Sequence, residues 1–272
     1  MIYAILGALL VGGSLGLLGS GGSILTVPIL VYFLQHEDKV AIAESLGIVG
    51  AIALAGVIPY ACERLVEWRT ALLFGIPGML GTLAGAWIAT AVPGFVQLIV
   101  FALVMLIAAW FMWKRSRKPA PAEPADTPVP RRASWLILLQ GAALGVLTGF
   151  VGVGGGFLIV PTLVLLAGLP MRRAVATSLA VIVMNCATGF LKYLHHFSDA
   201  GLSVNWTTIG VFIAFGALGT FAGRRLGGRI PQRTLQQGFA VFLVAMAGFI
   251  LVEETLLRPH DTPAASEPSP SP

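Results

Sequence analysis

The sequence predicts an all-α polytopic membrane protein made of two inverted repeats, each a broken, glycine-tipped helical hairpin followed by three transmembrane helices. Three observations predict it. The composition is apolar and laid out in long runs. One unit of sequence occurs twice. The Lys and Arg residues gather on one side of the membrane in only one of the two ways the chain can be threaded.

The composition comes first. The 272 residues are 57% hydrophobic and only 11% charged, where soluble domains carry about 25% charged residues. Such a chain cannot clothe itself in a wetted surface, and its mean hydropathy of +0.88 points to lipid as the solvent. The net charge is +5. Its cations sit in short loops between apolar runs, the pattern of cytoplasmic loops, so no nucleic-acid partner is expected. Cys62 and Cys186 match no metal spacing and form no disulfide framework. They read as small apolar side chains. The opening stretch 1–19 has no Lys or Arg ahead of its apolar run, which a secretory leader requires, and the repeat counts it as part of the fold.

The repeat is direct. Gly16 to Pro28, with Gly19-Ser20-Gly21-Gly22-Ser23 at its centre, matches Gly149 to Pro161, with Gly152-Val153-Gly154-Gly155-Gly156. The same offset carries Ala43-Glu44-Ser45-Leu46 onto Ala176-Thr177-Ser178-Leu179. After a small insertion, Trp68 matches Trp206, Gly81 to Gly85 matches Gly219 to Gly223, and Pro93 matches Pro231. So many matches in one order mean duplication. The first repeat spans 1–113 and the second 134–252. Between them, 114–133 is a Pro-rich basic linker, and 253–272 is a tail of the composition that stays disordered.

Each copy holds three runs long enough to cross a bilayer. They lie near Val40–Tyr60, Thr70–Thr90 and Phe95–Trp113, then near Ala174–Leu194, Trp206–Leu226 and Leu235–Leu251. Ahead of them, Ile2–Leu34 and Trp135–Gly168 are too long for one span and are broken midway by glycines. Either the broken segment crosses once, giving parallel repeats, or it enters and returns, giving inverted ones. Positive charge resists translocation. The hairpin arrangement leaves only Lys39, Lys192 and Arg258 outside among the 17 Lys and Arg. A single crossing would move Arg172, Arg173 and the four arginines from Arg224 to Arg233 outside to join Lys39, and Lys192 and Arg258 inside, so the cations would no longer gather on one side. The hairpin is therefore expected, with both termini outside and the linker cytoplasmic.

The tips carry the functional expectation. Non-helical backbone at membrane depth is tolerated only where protein buries it or a cavity wets it. Broken helices of inverted-repeat carriers place free N–H groups there. A half-helix starting at Ser23 or Gly156 would present those groups and a positive dipole end to an anion. The candidate substrate-binding residues are Gly19, Ser20, Gly21, Gly22 and Ser23 with Gly152, Gly154, Gly155 and Gly156, joined by Ser45 and Ser178. Glycines that only let helices pack closely are the plainer alternative, and it is the reading given to Gly81–Gly85 and Gly219–Gly223. Glu44 is the candidate for proton coupling; a carboxylate favoured at a helix start explains it equally. Its counterpart Thr177 does not ionise. No His, Cys or carboxylate grouping with metal spacing occurs, and no nucleotide loop. No cofactor and no enzymatic chemistry are expected.

The paired glycine tips with Pro28 and Pro161, the Ala-x-Ser motifs at Ala43 and Ala176, and the Gly-Thr-x-x-Gly motifs at Gly81 and Gly219 resemble the signature of the TauE/SafE family of sulfite exporters. The resemblance covers about residues 2–251. It implies a multi-pass protein of a prokaryotic inner membrane that moves sulfite or related organosulfonates. An anion channel or a non-transport membrane scaffold are the alternatives. The expected partners are a small anion and the bilayer, and a homodimer stays open.

Overall fold

The structure, a computed structural model, describes residues 2–18, 22–116, 134–152, 155–165, 169–200, 204–227 and 232–253. Among these residues every regular element is helical and none is a strand. In the first copy α1 is Ile2–Leu18 and α2 is Gly22–Pro28, continued by a π-helical turn over Ile29–Phe33; α3 is Asp38–Cys62, α4 is Trp68–Thr90 and α5 is Gly94–Ser116. In the second, α6 is Ser134–Val151, α7 is Gly156–Leu165, α8 is Met171–Ala200, α9 is Trp206–Gly227 and α10 is Gln232–Val252. Helices α3, α4, α5, α8 and α9 are long and apolar enough to cross a membrane. The sixth expected span, Leu235–Leu251, lies in α10, whose 21 residues contain a shorter described apolar stretch, Ala240–Val252.

Polarity is arranged for lipid. Leu10, Ile58, Leu80, Trp87, Trp110 and Trp206 are among many large apolar side chains on the outer surface, whereas Ser23, Thr26, Glu44, Ser45, Thr82, Thr177, Ser178, Asn185 and Thr220 are buried. A soluble monomer rarely shows apolar patches on that scale. Among the buried hydroxyls, Thr26, Thr82 and Thr148 donate to the carbonyl four residues earlier, which satisfies them without a partner helix, and Thr220 lies within hydrogen-bonding distance of both its own Gly216 carbonyl and the Gly12 carbonyl of α1.

The two copies exchange helices. α1 lies along α9, where a side chain on Gly12 or Gly16 would collide with the backbone of Gly216 or Thr220. α6 lies along α4 in the same way, Gly145 against Gly78 and Gly149 against Thr82. Small residues let these backbones touch, which is how helices associate where lipid is as apolar as leucine. Gly81, Gly85, Gly219 and Gly223 all belong to these two seams, so they are packing glycines, as expected from the sequence.

Direction follows from the same contacts. Gly22 packs on Val11 and Leu15 while Gly7 packs on Ile29, so α2 and its π-helical turn run back along α1. Equivalent helices α3 and α8 pack on each other with Leu46 near Gly189, Gly50 near Cys186 and Gly56 near Leu179. Numbers rise on one and fall on the other, so these two helices run antiparallel. The offset of the repeat also continues further than the motifs: Gly56 meets Leu179 and Thr220 where Gly189 meets Leu46 and Thr82.

Candidate functional site

The break between α6 and α7 is the best described region of the expected site. Gly152 and Gly155 have φ of 72° and 64°, a left-handed conformation that costs glycine nothing and other residues strain. Both are buried. A side chain at Gly152 would run into Ile42 of α3, and one at Gly155 into the Thr148 hydroxyl. The Gly152 amide still donates to the Thr148 carbonyl at 2.9 Å, and Leu158 and Ile159 donate to the Gly155 carbonyl at 3.0 and 3.1 Å. Helix α7 thus restarts at once beyond the break. Its first residue, Gly156, is buried too.

Ser45 stands at this break. Its hydroxyl bonds the Gly152 carbonyl, and it lies within hydrogen-bonding distance of the Ile42 carbonyl at 2.8 Å. The structure therefore brings a serine of the first copy to the glycine break of the second. Tyr193 of α8 adds a bond from its hydroxyl to the Gly149 carbonyl at 3.2 Å, close to the same break. In the first copy, Gly22 and Ser23 are fully buried at the start of α2, and Gly22 sits against the Val11 carbonyl. Ser178, the counterpart of Ser45, donates to the Val175 carbonyl at 2.8 Å. Gly19, Ser20, Gly21 and Gly154 lie outside the described residues.

Glu44 is fully buried. One carboxylate oxygen pairs with His36 Nδ1 at 2.6 Å, and the other accepts the Asn205 backbone N–H at 2.6 Å. Asn205 directly precedes α9, so Glu44 fastens α3 of the first copy to the amino end of α9 of the second. The counterpart contact exists. The Thr177 hydroxyl accepts the Glu67 N–H at 3.0 Å, and Glu67 directly precedes α4. Sequence reasoning found Glu44 and Thr177 as a matched pair but missed their shared task, because their partners are backbone groups over a hundred residues away. It also missed Tyr193, and Asn185, a fully buried carboxamide on α8.

A family model described as sulfite exporter TauE/SafE matches residues 4–250. A probable membrane transporter protein of Xylella fastidiosa (strain Temecula1 / ATCC 700964) is 35% identical over 248 residues, covering 89% of this chain and 91% of the relative. Proteins of the same description from Methanocaldococcus jannaschii and Bacillus subtilis are 24% and 25% identical, and cover 88% and 93% of this chain and 91% and 97% of the relatives. No solved structure matches. With a match across both copies and apolar spans to carry it, the chain is a multi-pass membrane transporter protein and belongs to the TauE/SafE family.

Proposed function

We propose that this transporter is a secondary carrier of small anions, sulfite or organosulfonates, working by alternating access between two inverted halves. The observation that carries this reading is the buried left-handed break at Gly152 and Gly155, held by Ser45 of the other copy. Non-helical backbone at membrane depth is confined to places where protein buries it or a cavity wets it, and such breaks form the substrate sites of inverted-repeat carriers. A helix restarting beside such a break offers N–H groups and a positive dipole end to an anion without any fixed cation. The antiparallel packing of equivalent helices α3 and α8 supports inverted halves, and the return of α2 along α1 supports the hairpin threading. In this reading the first half is 1–113 and the second 134–252, joined by the cytoplasmic linker 114–133. Both termini then lie outside a prokaryotic inner membrane. The substrate site comprises the two glycine breaks with Ser45 and Ser178, and Glu44, beside His36, couples transport to protons.

Flux into proteoliposomes of the purified protein tests this. Sulfite, sulfate, sulfoacetate and taurine are offered with acetate as control, with and without a pH gradient. Saturable uptake of a sulfur oxyanion, accelerated by the same anion on the opposite side, is expected. Flux without that acceleration means a channel. No flux from folded protein removes the substrate class.

A further inference from the structure

The buried hydroxyls of Thr26, Ser45, Thr82, Thr148, Ser178 and Thr220 bond to backbone carbonyls, and the carboxylate of Glu44 has two partners. Asn185 differs. It is fully buried on α8, and neither its amide nitrogen nor its oxygen has a hydrogen-bond partner among the described residues. Gln97 also has an unpaired oxygen, but its nitrogen donates to the Ala89 and Val92 carbonyls at 2.7 and 3.1 Å, which explains it as a brace for the α4–α5 turn. Nothing comparable explains Asn185. A buried donor and acceptor left unpaired weaken the fold, and a carboxamide that packs membrane helices together does so by hydrogen bonding across them, which Asn185 does not do among the described residues.

Its place in the bundle is informative. Gly50, the middle residue of the 25-residue α3, packs on Cys186, so Asn185 sits at mid-depth between the two repeats. It faces α4 at Gly78, where a Cβ would come within 2.7 Å of the Asn185 Oδ1 and 3.0 Å of its Nδ2. Pro77 lies beside Gly78 inside α4 and offers no N–H to the Leu73 carbonyl, so the ladder of α4 is broken at this level. The other half shows what the fold alone requires here. By the repeat offset the counterpart of Asn185 is Ile52, which packs on Gly216, the counterpart of Gly78. Phe215 stands where α4 has Pro77. An apolar residue fills the equivalent position, so the architecture has no need of an amide there.

We propose that Asn185 is a substrate-binding residue, whose carboxamide donates hydrogen bonds to an oxyanion oxygen at mid-depth when the seam between α8 and α4 opens. The assignment rests on the anion-transport reading above and adds to it a residue, on one half only. An amide supplies two N–H donors and an acceptor for a protonated oxyanion. It adds no charge that would trap the anion, and passage requires binding weak enough to release.

The test compares wild type, Asn185→Leu and Gly78→Ala for uptake of sulfite and sulfoacetate into proteoliposomes and for melting temperature in detergent. Asn185→Leu is expected to melt at or above the wild-type temperature, because replacing an unpaired polar group by an apolar one relieves the fold. Its KM for the transported anion rises about tenfold or more, the loss of a hydrogen bond to a charged group. Gly78→Ala, which keeps Asn185 and presses a methyl group on its amide, raises KM in the same direction. A wild-type KM in Asn185→Leu overturns the assignment while leaving anion transport standing. So does an Asn185→Leu protein that melts well below wild type or fails to assemble, since Asn185 would then be structural. Wild-type protein that takes up neither anion overturns the transport reading, and this assignment with it.

Discussion

The two halves of the bundle share their backbone contacts and differ in their polar groups. Gly12 against Gly216 repeats as Gly145 against Gly78, and Gly56 beside Thr220 repeats as Gly189 beside Thr82. The tie from α3 to the residue before α9 repeats as the tie from α8 to the residue before α4. Within that shared frame Glu44 corresponds to Thr177, Ile52 to Asn185, and Phe215 to Pro77. What repeats is what two copies need in order to dock. At these three positions the halves differ by a polar group or by a residue that disturbs a helix ladder. Duplication thus supplies the scaffold twice and leaves each half free to carry different chemistry.

The largest effect should come from breaking the tip between α6 and α7. Gly155→Leu forces a branched residue into a left-handed conformation and against the Thr148 hydroxyl, a strain of about 1–3 kcal/mol before the clash is counted. Uptake into proteoliposomes should fall to background. Next come the seams. Gly12→Leu and Gly145→Leu each push touching backbones apart, and overpacking costs about 1–3 kcal/mol or more. If the halves are equivalent scaffolds, both variants lower the melting temperature by similar amounts; a large inequality would show that one half bears more of the stability.

Glu44→Gln sharpens the polar difference. The amide oxygen can still accept the Asn205 N–H, but the carboxylate that pairs with His36 is gone. Stability should drop by about 1 kcal/mol, read as melting temperature. Stimulation of uptake by a pH gradient should disappear. The smallest effect belongs to Glu63, which pairs with Arg172 at 3.2 Å and with Arg224 at the exposed carboxyl end of α3. Glu63→Ala should cost less than about 1 kcal/mol, because water and salt screen such pairs.

The sequence made the spans, the duplication and the small-residue seams legible, since each is a local pattern of hydropathy or spacing. It also picked out Ser45, through the matched Ala-x-Ser motif, though not that Ser45 serves the glycine break of the opposite copy. That pairing depends on α3 and α8 running antiparallel, which no local window contains. Asn185 escaped because it is neither charged nor in a glycine cluster; the signal was its alignment with Ile52 at the repeat offset. Helix α8 runs on to Ala200 past the expected end near Leu194, because Lys192, His195 and His196 end the apolar run without ending the helix.

One measurement addresses the inverted halves most directly. Cys62 at the carboxyl end of α3 is exposed, and its counterpart at the repeat offset is His195 near the end of α8, also exposed. A membrane-impermeant maleimide is applied to intact cells carrying wild type, and to cells carrying Cys62→Ser combined with His195→Cys. Halves that run in opposite directions leave Cys62 unlabelled until the membrane is opened, whereas the cysteine at 195 reacts at once. Equal labelling of both positions in intact cells, or protection of both, would mean that the halves run parallel and would contradict the account.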